Sequence, residues 1–555
     1  MIGLTRDPDF ANNHWLYVFY SHPEKSVNRL SRFEFKNGQI DMSSEKSMLD
    51  VPVQRQTCCH TGGSLTFGPT GDLYISTGDN TNPFESDGYS PSDDRPGRAP
   101  FDARGSSANT NDLRGKILRI HPQPDGTYTI PDGNLFAKDE PLTKPEIYTM
   151  GLRNPYRISV DQKRNYLFWG EVGPDAGNDS ETRGPRGYDE FNFAKGPGFF
   201  GWPLFIGGNY PYAEYNFDLK TVSAGQDPTA PKNTSKNNTG KVDLPPLQKP
   251  FIYYPYAETK DFPLMGTGGR NAMAGPVYYS ENFKEKPEAF PSYFDGKLII
   301  YEWMRGWFRL VTQNEDGSIF DIEPFMANIK FNNPIDMEFG PDGKLYIIEY
   351  GTKWFGHNED ARLVRIDWNS GNRPPVAVLE ADQSAGVTPL AVNFSASKSA
   401  DPDGGQLSYE LQIGEQKLTS SNGSFKFKFD QPGVYRPKLT VKDPEGTSSI
   451  SELVIIAGNA VPELTVAVTG NQTYYFPGAA VNYKVVANDL EDGSTADGKI
   501  KPEAVDVTVD FMEQGYDKTI IAQGHQRPNH PGQILISESD CKSCHLIDQK
   551  SAGPA

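Results

Sequence analysis

Cysteine is scarce in this chain of 555 residues: there are four, confined to two short motifs, Cys58-Cys59 and Cys541-Lys542-Ser543-Cys544-His545. Long apolar runs are missing as well. No stretch approaches the roughly 18 residues that a spanning helix needs, so no transmembrane segment is expected. Positive charge is in deficit, with 54 Lys+Arg against 72 Asp+Glu for a net charge of −18. That balance argues against nucleic acid or an anionic membrane as partner and leaves a small molecule allowed. What is plentiful is turn and aromatic material: 54 Gly, 45 Pro, 27 Tyr and 32 Phe in a mostly polar chain, the composition of an all-β protein with many turns. The length calls for three or four domains.

The most informative stretch is Cys58 to Asp79, CCHTGGSLTFGPTGDLYISTGD. Leu65, Phe67, Leu73, Tyr74 and Ile75 are apolar, and Gly68-Pro69-Thr70-Gly71 between them is a hairpin turn signal. Strands that run out and back return His60 and Asp79 to one rim. There they serve either as a base with its orienting carboxylate or as a loop hydrogen bond and a turn cap. Cys58 and Cys59 stand beside this histidine either as a vicinal disulfide, whose flat, rigid, apolar sulfur surface would bind by packing on the ring of a cofactor or substrate, or as two small buried thiols. Short strands punctuated by Asp/Gly/Pro turns recur: FGPTGDLYIST at 67–77 returns as FGPDGKLYIIE at 339–349. Units too small to bury their own face must stack on their neighbours, which favours a β-propeller over a sandwich.

The hairpin, with GLRNP at 151–155, GEVGPDAG at 170–177 and GYDEFNFAKGPGFFGWP at 187–203, resembles the soluble quinoprotein glucose dehydrogenases. The resemblance covers about residues 1–368. It implies a six-bladed propeller, N-terminally truncated here, that binds pyrroloquinoline quinone (PQQ) and calcium and oxidises a sugar hydroxyl. His60 would be the base and Asp79 its orienting partner. Arg153 and Asn154 would lie over the quinone, where a fixed guanidinium stabilises developing negative charge. The carbonyls of Gly173 and Pro174 would hold the calcium, and Glu190 would match a ligand of a structural calcium site. In the later blades Glu302-Trp303-Met304-Arg305-Gly306 stands where the family places a lysine, with Arg305 the basic candidate for the cofactor. Phe331-Asn332-Asn333-Pro334 stands where it places two arginines.

Several segments are read from composition alone. The polar insertion 80–112 is expected to cover the rim, with Asp87, Asp93 and Asp94 either binding calcium or forming a solvated acidic loop. Residues 204–262 read as a long loop whose exposed part lies at 233–238. From Asn372 the chain resembles a PKD domain, an immunoglobulin-like sandwich, over 372–457, with Asp401 and Asp403 as turn caps or calcium ligands. A second sandwich-like stretch covers 458–512, and 513–555 opens a truncated α-helical cytochrome c fragment. There Cys541 and Cys544 would carry haem c and His545 would ligate its iron. No leader opens the chain, and it is expected to be a fragment cut at both ends from a periplasmic or extracellular parent. The expected function is PQQ- and calcium-dependent sugar oxidation over residues 1–371, with electrons passed through the haem to a downstream acceptor. The alternative is a carbohydrate-binding or scaffold propeller attached to an electron-transfer cytochrome.

Overall fold

The structure, a computed structural model, describes residues 2–505 apart from positions 90, 287, 353–357, 359, 370, 402, 471–479 and 481. The motif Cys541–His545 lies outside the described residues. Two compact units divide the described chain, one running through Asp367 and the other beginning at Trp368.

The first unit is a β-propeller arrangement of five successive sheets among the described residues. The first sheet holds Gly3–Arg6, Trp15–Ser21, Val27–Lys36 and Gln39–Pro52. In the second, Gly62–Phe67, Leu73–Thr77, Lys116–Pro122 and Ile147–Met150 follow in order, and Gly198–Phe199 joins the outer edge in parallel. Pro155–Val160, Leu167–Glu171, Asp189–Ala194 and Ile252–Tyr254 form the third sheet. The fourth is Ala272–Val277, Leu298–Glu302, Trp307–Gln313 and Ile319–Phe325, and the fifth Pro334–Phe339, Leu345–Glu349 and Arg362–Ile366. The first strands of successive sheets lie side by side in chain order. The second, third and fourth sheets are thus covered on both faces by their neighbours, and their second strands LYIST, LFWGE and LIIYE are buried at every position. That double burial explains why these strands read as continuous apolar runs instead of alternating ones.

The blades share one register at the rim. The first strand of a blade begins opposite the last residue of its second strand: Gly62 faces Thr77, Pro155 faces Glu171, Ala272 faces Glu302 and Pro334 faces Glu349. Two residues before each of these starts stand His60, Arg153, Arg270 and Asn332. The fold therefore delivers four equivalent positions to one rim.

Two loop expectations are corrected. The insertion 80–112 is not a solvated acidic loop: Asp93 is fully buried, with Arg95 Nε at 2.8 Å from one carboxylate oxygen and Arg98 Nε at 3.2 Å from the other. Asp94 lies 3.7 Å from Arg104, and the Asp87 side chain lies outside what is described. The buried Lys116 ammonium, its pKa lowered to about 7 by burial, donates to the carbonyls of Ser106, Ser107 and Arg114 and pins the insertion to the sheet. Within 204–262 the chain forms paired strands, Phe205–Ile206 with Tyr210–Pro211 and Ala213–Asn216 with Thr221–Gly225. Asn233, expected on the surface, is fully buried because its side chain donates to the carbonyls of Arg104 at 2.7 Å and Ala108 at 3.0 Å.

In the second unit, Gln416–Ser420, Ser408–Ile413, Lys438–Lys442 and Ser448–Glu452 form a four-stranded sheet. Leu390–Ser395 pairs with Ser424–Phe429 in another, and Val392, Phe394, Leu411, Phe429, Leu439 and Val441 share one core. Asp401 accepts the Asp403 N–H at 2.9 Å within a turn, and Asp403 accepts from Arg373 Nε at 2.9 Å; Asp401 also stands with Asp443 and Glu445 in a group whose oxygens lie within 4.8 Å of one another. Beyond this sandwich, Glu463–Thr469, Asn482–Asp489 and Gly493–Ser494 make a three-stranded antiparallel sheet.

Candidate active site

The hairpin forms as its turn chemistry dictates, with Gly68 N–H on the Asp72 carbonyl and Gly71 N–H on the Gly68 carbonyl. It brings His60 Nδ1 to 2.8 Å from Asp79 Oδ1. Asp79 is 1% exposed, yet its carboxylate has three donors: His60, the Thr81 N–H at 3.0 Å and Trp202 Nε1 at 2.9 Å on the second oxygen. Burial pushes the Asp79 pKa up, but His60 and Arg153 outweigh it and hold the carboxyl below its ordinary range. With Asp79 ionised, Nδ1 carries the imidazole proton and Nε2 keeps a free lone pair. Burial, then the Arg153 charge, depress the His60 pKa against the opposing pull of Asp79, so the ring stays neutral and basic. Cys58 and Cys59, half-exposed beside it, are joined as a vicinal disulfide.

Arg153 and Asn154 sit next to this pair. The Asp79 N–H donates to the Arg153 carbonyl at 2.8 Å, and Asn154 Oδ1 accepts the Gly62 N–H at 3.0 Å. Glu171, buried at the end of its strand, accepts both the Arg153 and Asn154 N–H groups at 2.6 Å and thereby fixes the backbone under the guanidinium. Arg153 Nη1 donates to the Val172 carbonyl at 2.9 Å, while its buried Nε has no partner.

The expected calcium residues lie in the same region but are occupied differently. The Pro174 carbonyl accepts Arg270 Nη2 at 2.7 Å. Arg270 Nη1 lies 3.0 Å from Asp189 Oδ1, which also accepts the Gly173 N–H at 3.0 Å. Glu190, its pKa pushed up to about 7 by burial, has one oxygen on the Gly207 N–H at 2.6 Å and the other on Asn192 Nδ2 at 3.0 Å. The Pro174 carbonyl and both Glu190 oxygens thus each already accept one hydrogen bond, and the donor on Pro174 is a buried cation.

Arg305 is corrected as a cofactor residue. Its Nε donates to the Gly269 carbonyl at 2.7 Å, Nη1 to Met265 at 2.6 Å and Gly266 at 3.0 Å, and Nη2 to Pro255 at 2.9 Å and Gly268 at 3.0 Å. A guanidinium has five N–H donors, so none remains for a ligand carboxylate. The sequence reading missed Arg270, Trp202 and Glu171. The signal for Arg270 was present, because Arg270-Asn271 before a strand repeats Arg153-Asn154.

Residues 1–233 match the family model described as glucose/sorbosone dehydrogenase, and residues 372–457 match the PKD domain model. Among curated proteins, the chain is 27% identical over 207 residues to an aldose sugar dehydrogenase, YliI, of Escherichia coli (strain K12), covering 37% of this chain and 46% of that protein. It is 30% identical over 206 residues to the HIPL1 protein of Arabidopsis thaliana, covering 34% of this chain and 26% of that one. The matches thus span less than half the length of these relatives. A solved structure of the PQQ-bound aldose sugar dehydrogenase from Streptomyces coelicolor aligns at 18% identity and a TM-score of 0.39, covering 65% of this chain and 78% of that one.

Proposed function

With a glucose/sorbosone dehydrogenase domain at residues 1–233 and a PKD domain at 372–457, we propose that this protein oxidises a sugar hydroxyl, aldose to lactone in type, with PQQ as its cofactor. The observation that carries the reading is the His60–Asp79 pair, 2.8 Å apart with Asp79 buried and held by two further donors. A carbohydrate-binding or scaffold propeller needs no neutral histidine with its tautomer fixed in this way.

The residues around the pair suit an oxygen-rich planar anion. Arg153 Nε, Arg270 Nε and the Tyr212 hydroxyl are buried polar atoms without protein partners, and such groups are costly unless a ligand satisfies them. When bound, the quinone supplies the two-electron acceptor that no side chain provides. His60 Nε2 takes the hydroxyl proton of the sugar. Asp79 holds the ring in the reactive tautomer and stabilises the imidazolium that results. Trp202 and Thr81 hold Asp79, and Arg153 keeps the resting imidazole unprotonated. Haem bound by Cys541, Cys544 and His545 would carry electrons onward to an external acceptor. Covalent haem and a vicinal disulfide both suit a periplasmic or extracellular setting.

The test is dye-linked oxidation of a panel of aldoses by the full-length protein supplied with PQQ. Turnover is expected in the wild type and its loss in His60→Ala, with the quinone still bound in both. A wild type that binds quinone and sugar without turnover would make the domain a carbohydrate-binding propeller instead.

A further inference from the structure

The Pro174 carbonyl is enclosed. Arg270 Nη2 lies 2.7 Å away on one side, and on another a Cβ placed on Gly187 would meet the oxygen at 1.6 Å, so only glycine fits there. The guanidinium itself is gripped from several directions. Its Nη1 rests on Asp189 Oδ1, the Asp189 Oδ2 accepts the Ala272 N–H at 3.0 Å, and the Tyr256 ring lies under it at 4.0 Å. Only 1% of the Arg270 side chain is exposed. A divalent ion bonded to this carbonyl would have to displace the arginine or stand beside a buried positive charge. Either is strongly unfavourable, because the buried guanidinium would lose its carboxylate and carbonyl partners or the two cations would repel across a dry interior.

Arg153 does the same two residues earlier in the segment, capping the Val172 carbonyl. The two arginines occupy equivalent blade positions, two residues before Pro155 and before Ala272, and each retains a buried Nε–H without a partner. Both act on the same surroundings, since the phenol of Tyr212 and the carboxyl of Asp189 each feel both charges.

We propose that Arg270, paired with Arg153, supplies the fixed positive charge of this site in the place where calcium is expected, holding the Pro174 carbonyl and offering its remaining donor to the anionic oxygens of the cofactor. The second half of this statement rests on the quinone reading; the first half does not. The assignment makes the centre insensitive to chelators, since a guanidinium cannot be stripped or exchanged.

Two measurements on the full chain test it. PQQ is titrated by absorbance in buffer containing EGTA and again with millimolar calcium, and the two affinities are expected to agree. Arg270→Ala leaves Asp189 buried and unpaired and can fail to fold, so Arg270→Ala is combined with Asp189→Asn. The pair is expected to weaken quinone binding by about tenfold or more, and Arg270→Lys, which keeps the charge but not the two-pronged grip, by less. Quinone binding that requires calcium would overturn the proposal while leaving the sugar-oxidation reading intact. The second measurement needs no quinone: a crystal of the full chain soaked in calcium should keep Arg270 on the Pro174 carbonyl. A metal ion coordinated there, with the arginine swung away, would overturn it. Should quinone bind under neither condition, the sugar-oxidation reading falls, and the soaked crystal still decides what holds Pro174.

Discussion

Arg270 and Arg305 belong to the two ends of one hairpin in the fourth blade, and they spend their donors in opposite ways. Arg305 gives every N–H to the carbonyls of Pro255, Met265, Gly266, Gly268 and Gly269, closing a loop that has no strand partner. Arg270 holds a carboxylate and one carbonyl and leaves Nε unpaired in the interior. The contrast teaches that a basic residue near a cofactor site is a ligand group only if its donors are not already consumed. Residue type and chain position, which pointed to Arg305, cannot report that; the hydrogen-bond inventory can.

The largest expected effect tests whether the rim carries chemistry at all. His60→Ala should lower kcat/KM for the best aldose by about 10²–10⁴-fold with little change in thermal stability. A loss below tenfold would remove His60 from the reaction. Next comes the arginine contrast itself. Arg305→Ala should cost about 3–5 kcal/mol of stability, because several carbonyls lose a charged donor together, seen as a fall in Tm. The folded fraction should bind quinone as the wild type does. A stable Arg305→Ala protein with weakened quinone binding would reverse the roles given to the two arginines.

Smaller effects sharpen the picture of the pair. Trp202→Phe deletes one of the three hydrogen bonds to Asp79 and should reduce kcat/KM by about tenfold at most, roughly 1 kcal/mol, at unchanged KM. The smallest effect is in pH dependence. The His60 pKa lies below the ordinary value of about 6.5, because burial and Arg153 disfavour imidazolium more than Asp79 favours it. The basic form therefore persists to more acidic pH, and the acid limb of kcat/KM should fall below that value. In Asp79→Asn the opposing pull is gone, so the limb should move further toward acid even as the rate drops. A shift toward alkaline pH would contradict the stated balance.

The pairing of His60 with Asp79 was legible in the sequence because a tight turn between two apolar runs fixes their register locally. So was the all-β character, carried by the turn residues and the repeated FGP-turn strands. The site around Pro174 was not, since its partner Arg270 is 96 residues away and the intervening chain has no period to follow. Asn233 shows the same limit from the other side. A run of polar residues normally marks surface, but within this one Asn233 turns inward to satisfy carbonyls of a distant insertion while Thr234 and Lys236 stay exposed. Long-range hydrogen bonding leaves little trace in composition, and it decides both cases.

One repeated device has a wider consequence. In three blades a glutamate closing the second strand, Glu171, Glu302 or Glu349, accepts backbone N–H groups of the segment that enters the first strand. The segment is thereby anchored through its main chain, which every amino acid but proline shares. The side chain two residues ahead of each strand is not what positions that backbone, and its own partners are local ones, Val172 for Arg153 and Asp189 with Pro174 for Arg270. Arginine, arginine and asparagine fill those positions here, and histidine fills the matching one in the second blade. Such a rim can change its chemistry by exchanging one of these side chains together with its immediate partner, as Arg270 with Asp189, while the main-chain anchoring beneath stays as it is. Novelty in a protein of this design would accumulate at residues 60, 153, 270 and 332 ahead of the strands that carry them.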